Sequence, residues 1–244
     1  MTNVVIIPCR MASSRMPGKP LVEILKKPMI TYIIENSKKA RGVDETYVAT
    51  CDKEIANYCK KIGCKYIMTS IKHQRATDRT YEAAIKINKK KKLQNIIMIQ
   101  GDEPLINNKM IESTLSYMKR RKFNVVNMIN KINDIKEISD PNCIKIALDK
   151  NKKAIFFSRL PIPSTFHSSL KKNIYYKQVC IFGFTLNSLK VFSNIKEGYI
   201  EKQESIDMFR YLESGIVVDT IETKVKTQSV DVKSDILKAI KLLR

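Results

Sequence analysis

Val4-Val5-Ile6-Ile7-Pro8-Cys9-Arg10-Met11-Ala12-Ser13-Ser14-Arg15-Met16-Pro17-Gly18-Lys19-Pro20-Leu21 decides how this chain is read. The apolar run at its start is of the kind that forms a short buried strand, and Pro8 ends it. An apolar-periodic segment follows from Pro28, so Arg10, Arg15 and Lys19 share one loop between a first strand and a first helix. In open α/β sheets such a loop faces the crevice at the carboxyl ends of the strands, where ligands bind. Arginine offers a planar fork of donors to phosphate oxygens, and lysine a compact point charge. Pro17-Gly18 forces a turn that brings backbone and Lys19 toward an anion. The set suits a triphosphate; a basic solvent loop in a lysine-rich chain is the plainer alternative. Neither G-x-x-x-x-G-K-[ST] nor G-x-G-x-x-G is present, so this is not a P-loop or a dinucleotide fingerprint.

Further along, Asn95-Ile96-Ile97-Met98-Ile99 runs straight into Gln100-Gly101-Asp102-Glu103-Pro104. This places Asp102 at the same carboxyl edge of the sheet. A carboxylate there suits Mg²⁺, which bridges nucleotide phosphates and takes one or two protein carboxylates plus waters. An aspartate after a strand is as often a turn residue. Taken together with the cationic loop, the metal reading prevails.

Around these two segments the first half alternates strand and helix. Strands are expected over 4–8, 45–50, 65–68 and 95–100, and helices over 28–39, 53–62, 77–88 and 107–120. Such alternation predicts a mostly parallel, doubly wound sheet. Asp52 and Asn107 read as helix N-caps, and Gly42 and Gly63 as the glycines that follow helices. The second half is richer in strand, over 125–132, 143–148, 154–157, 176–184 and 216–226. Helices are expected over 188–195 and 203–213, and a last one over 234–243 capping the sheet. Pro161, Pro163 and several serines mark 161–173 as a loop. With 244 residues, the expectation is one α/β domain over 1–244 with an irregular lobe at about 140–215.

Composition narrows the function classes. No apolar run is long enough to span a bilayer, and the sequence enters a strand directly rather than a signal peptide. The six cysteines form no C-x-x-C pair and no zinc-like grouping with His73 and His167, so they read as reduced thiols of a cytoplasmic protein. A net charge of +21 invites a nucleic-acid partner. The excess reads as spread over helix ends and turns, and the Ile, Asn and Lys bias looks like AT-rich coding. No RRM, KH, zinc-finger or helix-turn-helix pattern is visible.

With these motifs in order, the chain resembles the 3-deoxy-manno-octulosonate cytidylyltransferase family, the CMP-KDO synthetases. The similarity runs nearly end to end: through the first loop, Lys27-Pro28-Met29-Ile30, Val48-Ala49-Thr50-Cys51-Asp52 and Met68-Thr69 with His73-Gln74. It continues through Thr77-Asp78-Arg79, Gln100-Gly101-Asp102-Glu103-Pro104, Phe156-Phe157-Ser158-Arg159, Pro161-Ile162-Pro163 and Ile181-Phe182-Gly183-Phe184. Glu201-Lys202-Gln203-Glu204 with Arg210, and Val230-Asp231, complete it. The resemblance implies a nucleotide-diphospho-sugar transferase fold. It also implies transfer of CMP from CTP to an acidic sugar with release of pyrophosphate, in lipopolysaccharide or surface-glycan synthesis.

By the same resemblance Arg10, Arg15 and Lys19 are catalytic and bind the nucleotide with Gln74, Thr77 and Asp102. Mg²⁺ falls to Asp102 and Asp231; alone, Asp231 would read as a turn or capping residue. Arg159 is the candidate for the sugar carboxylate, because a bidentate fork matches that group, with a structural salt bridge as its alternative. Gln178 and Asp207 are expected at sugar hydroxyls, with helix surface as theirs. A homodimer through the second-half lobe is also implied. The chain departs from the family pattern at Arg75-Ala76, where a small residue and glycine are usual. Gln178 stands where histidine is usual and Met208 where glutamine is, so a cytidylyltransferase for another acid stays open: an 8-amino version of the sugar, a sialic-acid-like sugar or a phosphonate. A non-catalytic nucleotide- or nucleic-acid-binding protein is the reading from a different class.

Overall fold

The computed structural model describes residues 1–13, 15–164, 166 and 173–244. Most of the loop expected over 161–173 therefore lies outside the described residues, as do Ser14 and His167. The first half runs β1 (Thr2–Pro8), a small hairpin of β2 (Glu23–Ile24) and β3 (Lys27–Pro28), α1 (Met29–Lys39), β4 (Glu45–Thr50) and α2 (Lys53–Lys61). It continues with β5 (Lys65–Met68), α3 (Ala76–Asn88), β6 (Leu93–Ile99) and α4 (Asn108–Arg120). After β7 (Val125–Lys131) come α5 (Ile135–Ser139), β8 (Lys145–Leu148), β9 (Ala154–Ser158) and β10 (Tyr176–Phe184). The chain closes with α6 (Leu186–Asn194), α7 (Tyr199–Glu204), α8 (Phe209–Leu212), β11 (Val218–Thr223) and α9 (Lys233–Leu243).

The apolar run at 4–7 lies mid-sheet. The order is β11-β7-β10-β6-β1-β4-β5. β1 pairs in parallel with β4 and β6, β4 with β5, and β7 with β11; only β10 on this path is antiparallel to its neighbours. Alternate residues face opposite sides, and both sides are covered. Val4, Ile6, Ile96 and Met98 pack toward Ala83, Ala84 and Ile87 of α3 and Leu189 and Phe192 of α6. Val5, Ile7, Ile97 and Ile99 pack toward α1, α2 and α4 through Ile30, Ile33, Ile55, Ile111 and Leu115. This two-sided burial is why the strands read as continuous apolar runs rather than alternating ones. β8 extends the sheet from β10 and β9 from β8, both antiparallel, so the second half is the strand-rich part that was expected.

Three local expectations are corrected. The helix expected over 203–213 is two helices, α7 and α8, broken at Ser205, whose φ is 53°. The break follows from long-range bonds on this turn: Arg75 donates to Ser205 Oγ, Arg159 Nε to Glu204 O, and Thr77 N and Oγ1 to Asp207 Oδ2. The last helix does not cap the sheet; Ala239 packs with Met16, Ile24 and Met29, against the first loop and the β2–β3 hairpin. Asp52 holds the N-cap position of α2 but its carboxylate accepts from Met11 N at 2.8 Å instead of capping the helix. Asn107 does cap α4, accepting from Met110 N. All six cysteines are unpaired, and no helix among the described residues is long and apolar enough to cross a membrane.

Gly183 is required by close approach. A Cβ there would lie 2.5 Å from Val126 Cγ1 and 2.6 Å from Met118 Sδ, where β10 passes between β7 and α4. Overpacking of this kind costs about 1–3 kcal/mol. Gly183→Ala is expected to lower the urea midpoint with an unchanged slope. A wild-type midpoint would show that α4 shifts freely off the strand.

Candidate active site

The carboxyl ends of β1, β4 and β6 open onto one crevice, and three segments meet there. The loop after β1 is fastened to the end of β4 by the Met11–Asp52 bond. The turn after β6 lies close beside the exit of β1: a Cβ on Gly101 would be 3.1 Å from Cys9 Cβ, so glycine permits the approach. The segment before α9 is joined to that turn because Val230 N donates to Asp102 O at 2.9 Å. Asp235 then receives both Asp231 N and Val232 N on one carboxylate oxygen, fixing how Asp231 enters the crevice.

A charge cluster results. Lys19 is buried, and its Nζ lies 2.7 Å from Asp102 Oδ2 and 3.0 Å from Asp231 Oδ1. Burial opposes its charge, but the two carboxylates outweigh that and hold its pKa above the ordinary lysine value. Arg15 reaches the same Asp231 oxygen at 2.9 Å and also donates to Asn142 Oδ1. Asp102 Oδ1 is buried with no hydrogen-bond partner among the described residues.

Two cavities share this cluster. One, of about 380 Å³, is lined by Arg10, Lys19, Gln74, Arg75, Asp102 and Asp207 among others. Within it Arg10 donates to Gln74 Oε1 at 3.3 Å. The other, of about 240 Å³, is lined by Arg159, Gln178, Lys177, Met208, Glu103 and Asp231 among others. Arg15, Gln100, Asp102, Ser205 and Asp207 line both. Every sequence-expected site residue except Thr77 lines one or both cavities. Thr77 is fully buried, and its hydroxyl and amide hold Asp207 from behind rather than opening to the crevice.

In the smaller cavity Arg159 is gripped by main-chain carbonyls, with no salt bridge among the described residues: Nε donates to Glu204 O at 2.7 Å and an Nη to Pro141 O at 2.8 Å. The wholly buried Lys145 ties down the same region, its Nζ donating to the carbonyls of Asp140, Cys143 and Arg159. Gln178 lies on β10, not on a helix surface, and donates to Asn127 Oδ1 at 3.1 Å. Met208 is fully buried in the lining of this cavity, where its thioether is only a weak acceptor.

Two site residues escaped the sequence reasoning. Glu103 is buried in the smaller cavity, accepting from Cys180 N on one oxygen and leaving Oε2 without a partner among the described residues. Burial, with the neighbouring Asp102 charge, pushes its carboxyl up to about 7. Its signal was adjacency to Asp102 in Gly-Asp-Glu-Pro. Arg75 was visible only as a departure from the family pattern. It lines the larger cavity, donating at 2.9 Å to Oγ of Ser205, a residue of both cavities, and pairing with Glu197.

A cytidylyltransferase family model matches residues 4–226. The 3-deoxy-manno-octulosonate cytidylyltransferase of Thermodesulfovibrio yellowstonii is 34% identical over all of this chain and 98% of that relative. The 8-amino-3,8-dideoxy-manno-octulosonate cytidylyltransferase of Shewanella pealeana is 34% identical, covering 97% of this chain and 96% of its own length. A solved CMP:2-keto-3-deoxy-manno-octonic acid synthetase complexed with CTP superposes with a TM-score of 0.87 at 32% identity, over 100% of this chain and 98% of that one.

Proposed function

Because this chain belongs to the cytidylyltransferase family, we propose that it transfers CMP from CTP to the anomeric hydroxyl of 3-deoxy-manno-octulosonate or a close analogue, releasing pyrophosphate. The observation that carries the reading is the Lys19–Asp102–Asp231 cluster where two cavities meet. CTP occupies the larger cavity and the acidic sugar the smaller, so the reacting atoms come together beside Asp102. The sugar oxygen bonds to the α-phosphorus as the bond from that phosphorus to the bridging oxygen of the β-phosphate breaks in line; pyrophosphate leaves with that oxygen and the hydroxyl proton passes to solvent. Catalysis of this kind is positioning and charge stabilisation. Arg10, Arg15 and Lys19 hold phosphate oxygens; Arg15 and Lys19 are already oriented by the aspartates, so little reorganisation accompanies the reaction. Arg159, fixed by its carbonyl partners, turns its remaining donors to the sugar carboxylate.

The residues fit Mg²⁺. Asp102 and Asp231 would hold it, and the unpartnered Asp102 Oδ1 is the kind of oxygen such an ion takes. Two carboxylates are enough for such an ion, which completes its shell with waters and substrate phosphates. When bound, it supplies charge at the α-phosphate and lowers the pKa of the attacking hydroxyl.

Pyrophosphate release with CTP, measured across a panel of acidic sugars and phosphonates, tests the reading. Release is expected with 3-deoxy-manno-octulosonate or its 8-amino analogue; none with any acid would sink it. A second reading, favoured by Gln178 and the buried Met208, is that the acceptor is altered near its tail. A specificity constant for the unmodified sugar more than about tenfold above that for the 8-amino analogue would discard the second reading and leave the first. We further infer a reducing, cytoplasmic compartment, consistent with six unpaired thiols, and a product used in lipopolysaccharide or surface-glycan synthesis. The second-half lobe exposes Ile155, Leu160 and Ile174, which supports a homodimer through it; sedimentation of a monomer at micromolar concentration would refute that.

A further inference from the structure

The basic excess is not spread evenly over the fold. In a parallel sheet every helix returns the chain to the amino edge, so the segments before β4, β5, β6 and β7 all lie on the edge opposite the active site. Those segments carry Lys38, Lys39 and Arg41; Lys60 and Lys61; four lysines at 89–92; and the run Lys119, Arg120, Arg121 and Lys122. Thirteen of the chain's 45 lysines and arginines are thus on one edge, and all thirteen are exposed.

The segments adjoin one another. Lys38 Nζ donates to Gly63 O, Lys91 and Lys65 both reach Glu45, and Lys119 Nζ would lie 3.4 Å from a Cβ on Gly42. Among the described residues Glu45 and Glu112 neutralise Lys91, Lys65 and Arg41, and most of the charge in the runs at 89–92 and 119–122 has no ion-pair partner. Attraction to helix C-terminal dipoles accounts for a basic residue in a last turn. It does not account for runs that continue past the helix into the connection.

We propose that this edge docks on the anionic headgroups of a lipid bilayer, holding the active-site edge toward solvent. The loops before β7 and β5 are five strand spacings apart, roughly 24 Å, so the cations form a broad front. Lysine predominates, and lysine acts as a point charge rather than a bidentate phosphate reader. Among the described residues these loops expose no large aromatic side chain for base stacking. A planar surface of negative charge demands only charge density.

The test is co-sedimentation of the full-length protein with vesicles of phosphatidylcholine containing about 30% phosphatidylglycerol, and with phosphatidylcholine alone, at low salt. Binding is expected only to the anionic vesicles. Lys89→Gln, Lys90→Gln, Arg121→Gln and Lys122→Gln combined should weaken it by about tenfold or more, with pyrophosphate release in solution unchanged. A control of equal charge on the opposite edge, Lys53→Gln, Lys109→Gln, Lys224→Gln and Lys226→Gln combined, should bind vesicles as wild type does. No binding to anionic vesicles, or equal loss in both variants, overturns the proposal. So does tighter binding to duplex RNA than to vesicles at equal phosphate concentration, which would assign the edge to nucleic acid.

Discussion

Asp102→Asn is expected to lower turnover by about 10²–10³-fold or more while the protein stays folded. The substitution removes one of the two carboxylate charges proposed to lie beside the reacting phosphate, and Asp102 Oδ1 has no hydrogen-bond partner among the described residues. It also places an amide opposite the Lys19 ammonium, which now lies 2.7 Å from a carboxylate oxygen. The fold should survive because the link to the α9 segment runs through the main chain, Val230 N to Asp102 O. Steady-state pyrophosphate release at saturating CTP and Mg²⁺, with thermal unfolding as a control, reads the effect. Wild-type turnover at saturating Mg²⁺ would remove Asp102 from the metal site. Asp231→Asn should fall in the same direction, since Asp231 shares Lys19 and Arg15.

Lys19→Ala is expected to lower kcat by about a hundredfold, more than it raises the KM for CTP. An interaction that matters most as charge builds on departing pyrophosphate lowers the catalytic rate rather than ground-state binding. The structure adds a second cause. Lys19 is the buried cation between Asp102 and Asp231, and its removal leaves two neighbouring carboxylates to repel each other and lose their alignment. Kinetics with CTP varied at saturating sugar separate the parameters. A change confined to the apparent CTP affinity would show that Lys19 serves uniform binding.

The first half was legible because its signals are local. Apolar runs bounded by Pro8, Gly63 and Gly101 locate β1, β5 and β6 to within two residues, and 3.6-residue periodicity locates α1 to α4. Charge chemistry on the loop after β1 and the carboxylate after β6 needed only the rule that strand ends face the crevice. The second half was less legible where distant residues compete with local propensity. The stretch 203–213 is helical by pattern, yet Arg75, Thr77 and Arg159 bond to its middle and break it at Ser205. Asp52 looked like a helix cap, and the amide of Met11 claimed it.

The sequence by itself determined the alternation of strand and helix, the cations Arg10, Arg15 and Lys19 on one loop and Asp102 at a sheet edge, because each is written within a few neighbouring residues. Tertiary structure alone decided the rest. It brought Asp231 beside Asp102 through one backbone hydrogen bond, buried Glu103 in the smaller cavity and gathered four separate basic segments on one edge. Those outcomes depend on strand order and on which segments meet across the sheet, and no window of sequence contains that information.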